Sequence, residues 1–313
     1  MKTKHTIKMS SALMLIALIM AMCTACGGIK SLQSVRIDQN KHTTIKENGC
    51  AKAYRLAQKE QNKIDNARRK QSTENNKNLI DTSTLKKTSE NWDTVAKKCP
   101  TRLSEAVTYS VQDNWQYLQE SGQISDNNII ENEREAYYKL LEVMQNHENV
   151  RWTHNPLAQA AVAEDKLSFI LQTLAAKKDK NISLKYSDMA ASNANALMHA
   201  AGDGADLRGK VYEIPQQALQ SGIAKDIASG KDLPIAAIAY MDCAREELAA
   251  FNQVIVEENN PKNDAKNNSE TNYEHSTNQA NNDFKDAVIK LITSRLLRAY
   301  ELGYPTDAKL VLK

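Results

Sequence analysis

Glu164 is the residue of this chain best placed to do chemistry. It lies three residues after Ala161 and three before Leu167, inside an apolar helical stripe, where a carboxylate costs free energy unless it is paired or ligates a cation. An inward acid on a helical bundle raises the question of a di-metal centre, which takes a Glu from each of two helices and a Glu-x-x-His from each of the other two. Glu246 or Glu247 could come from a third helix. His199 fails the pattern, because Ala196 rather than Glu stands three positions before it, and the last helical segment, 284–302, contains no His. Oxygen ligands without the bridging motifs do not build that centre. The expectation is therefore no metal and no cofactor, with Glu164, Glu246, Glu247 and His199 as weak candidates only. Glu164 is expected to pair with a helix neighbour or to reach the bundle edge. His199, close to Gly202, reads as a helix-end residue that favours the negative end of the helix dipole.

Other motifs dissolve on inspection. Gly204 to Lys210 has the G-x-x-x-x-G-K spacing of a phosphate loop, but Val211 stands where a Ser or Thr should meet Mg²⁺, and Asp206 would repel phosphate. A surface loop is the better reading. Asp203 and Asp206 lack EF-hand spacing. HExxH, GxSxG and paired CxxC are absent from the sequence, so zinc-protease, serine-hydrolase and zinc-ribbon chemistries lack support. Trp92, Trp115 and Trp152 are isolated and read as packing residues.

The cysteines speak of compartment rather than catalysis. Lys2, Lys4 and Lys8 precede an eleven-residue apolar run, Ala12 to Met22, and small residues then lead to Cys26-Gly27-Gly28. A basic start, a short apolar core and a small-residue site form a secretory signal, and the core is far short of the roughly 20 residues of a membrane span. The stretch resembles bacterial lipoprotein signals, with Thr24 and Ala25 at the small positions, although Cys23 stands where those signals usually carry Leu. That resemblance implies cleavage before Cys26 and acylation of its thiol by palmitate-like chains. It also implies an extracytoplasmic protein held at the cell membrane, with more than one chain for stable attachment. Export makes a disulfide permissible, and Cys50 with Cys99 is the natural pair, since both flank the N-terminal basic segment. Cys243 sits in an apolar helical pattern and reads as a small buried hydrophobe.

Charge supports the same address. The chain carries 41 Lys or Arg against 38 Asp or Glu, and the three lysines of residues 1–25 account for the whole excess. The basis for a nucleic-acid partner disappears with the signal. Residues 27–100 hold sixteen basic groups against eight acids, and the remainder is correspondingly acidic. A basic segment beside a lipid anchor can lie against anionic headgroups; a solvated spacer explains it equally well.

Helix formers dominate the patterned segments and period-two alternation is lacking, so the fold class is all-α. Four regions are expected: a signal peptide, 1–25; a basic, partly disordered helical stalk, 26–99, with a loop from Gln71 to Ser89; a helical hairpin region, 100–150, with helices from Pro100 to Gly122 and from Asn128 to His147; and a four-helix bundle, 151–313. The bundle helices start at Asn155-Pro156, Leu184, Asp232 and Phe284, with glycine stops at Gly202 and Gly303. A long connection, 202–233, contains a short helix around 216–229, and an Asn-rich segment, 258–283, reads as a flexible insertion.

One long crossover among four helices matches ferritin-like topology. Residues 156–312 resemble the ferritin-like domain of unknown function of actinobacterial lipoproteins. The resemblance is carried by Ala163-Glu164, by Tyr212-Glu213-Ile214-Pro215 and by the closing Arg298-Ala299-Tyr300-Glu301-Leu302-Gly303-Tyr304-Pro305. It implies that fold and an exported location but no activity. The functional expectation is a membrane-anchored, non-catalytic interaction or envelope-associated module whose protein partner is not specified. The competing reading is a ferritin-like metal-binding or redox protein on the same bundle.

Overall fold

A computed structural model describes residues 48–74, 80–146, 153–177, 179, 182–258 and 270–312. The signal, Cys26 and the start of the basic segment lie outside these residues. The described chain is all-α apart from one short hairpin. Its elements are α1 (Gly49–Glu74), α2 (Thr82–Lys98), a 3₁₀ turn (Pro100–Arg102), α3 (Leu103–Glu120), α4 (Asp126–Asn146), α5 (His154–Ala176) and α6 (Leu184–Ala200). There follow α7 (Gln216–Ser221), antiparallel β1 (Ile223–Lys225) and β2 (Asp232–Pro234), α8 (Ile235–Glu258), α9 (Glu270–Glu301) and α10 (Ala308–Val311).

Five of these helices close a ring. α5 packs on α6 and α8, α8 on α9, α9 on α4, and α4 on α6. This corrects the expected four-helix bundle, because α4 supplies a fifth wall. Nor does α4 form a hairpin with α3: α3 pairs with α2, and α1 lies along α2. Hydrophobic periodicity shows that α4 has an apolar face but carries no address for it. Ile129, Ala136, Leu140 and Val143 of that face are buried, together with Glu133.

The expected stalk is, from Asn48 onward, a folded three-helix layer. A disulfide joins Cys50 to Cys99 with their Cα atoms 5.1 Å apart, linking the start of α1 to the end of α2. Trp92 stacks on Tyr109 of α3 at 4.9 Å, and its indole N–H donates to Gln61 of α1 at 2.9 Å. The loop expected from Gln71 to Ser89 is largely helix: 71–74 finish α1, and Asp81 caps α2, its side chain accepting from the Ser83 N–H. Likewise, part of the expected 258–283 insertion is the first half of α9, beginning at Glu270. The short helix of the crossover ends at Ser221, where Gly222 adopts φ 72°, and the chain turns into β1. α5 starts one residue before the expected Asn155 cap, and its cap Thr153 makes no side-chain hydrogen bond. Gly303, at φ 101°, ends α9 in a backbone region closed to most side chains.

The seam between α1 and α3 is held by Asp113, fully buried, whose Oδ1 accepts from Arg68 at 3.0 Å. Burial pushes its carboxyl up to about 7, against the pull of Arg68. Unfolded, the group titrates near pH 4. Between those values the folded chain keeps a proton that the unfolded chain has released, so the stability tied to Asp113 is full below about pH 4 and is lost as pH rises to about 7. In urea titrations, the stability of Asp113→Asn relative to the parent should therefore rise from pH 4 to pH 7 and then level. A difference that stays constant across that range would show that Asp113 titrates normally.

Candidate functional site

The five-helix ring encloses a polar centre to which every one of its helices contributes. Inward positions bring Glu133 from α4, Glu164 from α5, Asn193 from α6, Cys243 and Glu247 from α8, and Arg295 from α9, all buried. On α9, Arg295 falls among buried Leu291, Ile292, Leu296 and Ala299, on the stripe that must face the core. Cys243 and Glu247 lie one helical turn apart, so both meet the same neighbour.

Arg295 organises this centre. Its Nη2 donates to both Glu164 oxygens at 2.9 Å, and its Nε to Glu164 Oε1 at 3.1 Å. Its Nη1 donates to Glu133, whose Oε1 also accepts from the Tyr240 hydroxyl at 3.1 Å. Asn193 reaches Glu164 at 3.4 Å. Burial works against a charged Arg295, yet the flanking Glu164 and Glu133 raise it well above the ordinary guanidinium value, so it stays charged. Burial raises Glu133, opposed by Arg295.

Glu247 is the exception. It is wholly buried beside Glu164; among the described residues neither of its oxygens accepts a hydrogen bond, and its protonated carboxyl has only Glu164 to donate to. Burial first, and then the Glu164 carboxylate, push it well above the usual carboxylate range. Cys243 is raised by burial and by the same acids.

The remaining candidates lie elsewhere. Glu246 is half-buried at the bundle edge and accepts from Lys166 at 3.0 Å. His199 is exposed in the last turn of α6. The Gly204–Lys210 segment is a surface turn in which Arg208 folds back on Asp206, with guanidinium–carboxylate distances from 2.7 to 3.2 Å. A di-metal centre does not fit these residues. Where two carboxylates would share metal ions, Glu133 and Glu164 share the Arg295 guanidinium, and α6 offers an amide rather than an imidazole. Glu164 was legible in the sequence as a costly inward carboxylate. Arg295 carries the same signal, a charge inside an apolar stripe, but its partner stands 131 residues away, beyond any local pattern.

Outside this centre, α2, α3, α4 and α9 flank a groove of about 540 Å³. Two ion pairs cross its rim: Lys97 to Asp286 at 3.4 Å and Lys290 to Glu135 at 2.6 Å. The polar wall carries buried Ser89 and Ser110, whose hydroxyls lie 3.1 Å apart, and half-buried Asp93, which accepts from Ser110. Burial raises Asp93, while Ser110 and Lys97 pull it down.

Comparison with family models, with curated proteins and with solved structures returns no match for this chain. Its class therefore rests on its own architecture, that of an all-α helical protein with a polar centre. Among the described residues no helix is long and apolar enough to cross a membrane.

Proposed function

We propose that this chain is an extracytoplasmic lipoprotein, anchored to the cell membrane through acylated Cys26, whose helical domain is a non-catalytic binding module. The observation that carries the binding role is the open, mixed-charge groove between α2, α3, α4 and α9. Its rim ion pairs are exposed and individually weak, in the range of about 0–1 kcal/mol, so a ligand can replace them at little cost. A polar peptide segment carrying both signs fits such a lining. The Cys50–Cys99 disulfide supports export, since such bonds persist in oxidising compartments. The long 202–233 crossover supports ferritin-like wrapping of α5, α6, α8 and α9, with α4 added as a further wall.

A photo-crosslinking amino acid placed at Tyr117, in the groove, should give a discrete adduct in intact cells. The same group at Ile227, which is 99% exposed and outside the groove, should not. Equal labelling from both positions, or none from Tyr117, would remove the groove as the working surface.

A further inference from the structure

We propose that Glu164, Cys243 and Glu247 form a mononuclear site for a borderline-soft divalent transition metal, of which Zn²⁺ is the type. One ligand atom from each of these three buried residues lies within 4.8 Å of the other two. The second, independent observation is the carboxyl of Glu247, wholly buried in that cluster with no donor to either oxygen, so that its own proton, held against Glu164, is its one polar contact. Buried polar groups are normally partnered, and a carboxyl set beside a second carboxyl in an apolar interior gains most from a cation. Glu164 remains able to ligate: its Oε2 accepts from Arg295 Nη2, and loss of the Glu247 proton on metal entry frees the lone pair that proton occupies.

The donor set decides the metal. Two carboxylates alone would suit Mg²⁺ or Ca²⁺, but those ions take six or more oxygens, and the third donor here is sulfur. A thiolate shifts preference to the borderline-soft ions. Charge balances as well. Entry of the ion releases the thiol proton of Cys243 and the carboxyl proton of Glu247 to solvent, so a divalent cation replaces two protons and the net charge of the interior is unchanged. Arg295 stays paired with both Glu133 and Glu164 throughout.

A route exists. Cys243 lines a cavity of about 70 Å³ between α5, β1 and α8, walled by Leu167, Ile170 and Ile238, with Lys166 and Asp242 also in its lining. The cavity meets the cluster at Cys243; Glu164 and Glu247 lie behind it, outside its lining. The site is independent of the groove and of the lipid anchor.

Co²⁺ titrated into the full-length chain in detergent is the probe. One equivalent should bind, with a thiolate-to-cobalt charge-transfer band that Zn²⁺ abolishes. Cys243→Ser should lose the band, and Glu247→Gln should weaken binding by more than the roughly 10–100-fold caused by outer-shell changes. Glu246→Gln and His199→Ala should bind as the parent does. Glu247→Gln exchanges a buried acid for a neutral group of the same shape, so its circular dichroism melt should match or exceed the parent's. Failure to bind one equivalent overturns the site, as does a band that survives Cys243→Ser.

Discussion

Arg295→Met is expected to destabilise the fold by about 3–5 kcal/mol, the usual consequence of removing one partner from a buried charge assembly. Methionine keeps much of the side-chain volume but leaves Glu133 and Glu164, both buried, with no counter-ion between them. Against a typical total of about 5–15 kcal/mol, that is a large fraction of the stability. The loss should shrink when the carboxylates are removed too: Arg295→Met with Glu133→Gln and Glu164→Gln should recover a substantial part of it. It should also be smaller at low pH, where the stranded carboxyls take up protons. Urea unfolding of the parent, the single variant and the triple variant reads all of this. A loss below about 1 kcal/mol, the level of an exposed pair, would show that Arg295 is not the internal counter-ion.

The second large effect belongs to the disulfide. Cys50 and Cys99 close a loop with a sequence separation of 49, and in the chain-entropy account such a closure contributes about 4 kcal/mol. Cys50→Ser, or reduction of the parent, should lower the melting temperature markedly. Hydrogen exchange should then show α1 losing protection first, because α1 packs chiefly along α2 and is tied to it at Cys50. Protection in α5 and α8, inside the five-helix ring, should hold. Uniform loss across both layers would mean that α1 and the ring unfold as one unit.

What the sequence made legible follows from where the apolar residues fall. The all-α class and the glycine stops at Gly122, Gly202 and Gly303 are local properties, and the structure carries positive φ at each. Segments that bury polar side chains were misread. α2 packs Leu85, Trp92, Val95 and Ala96 together with Thr88 and Ser89. Those two hydroxyl residues, in a stretch rich in Asn, Ser and Lys, imitate a loop, although the Thr88 hydroxyl returns to the Thr84 carbonyl at 2.8 Å. Within 258–283 the polar composition from Glu270 onward hid a helix that continues into a buried Phe284. Glu133 was visible on the patterned face of α4, yet only the ring brings it to Arg295, 162 residues on. Cys243 was read as a small hydrophobe, which its burial fits; its nearness to Glu164 and Glu247 is a fact of helix packing.

The proposed role depends first on how the chain is held, and the mature N-terminus tests that directly. Mass spectrometry of the protein extracted from membranes should find a chain beginning at Cys26, with the residues before it removed and acyl chains on the cysteine. Cys26→Ser should then appear in the soluble extracytoplasmic fraction. A mature chain that retains residues 1–25, or one that begins elsewhere with an unmodified terminus, would contradict the lipoprotein reading.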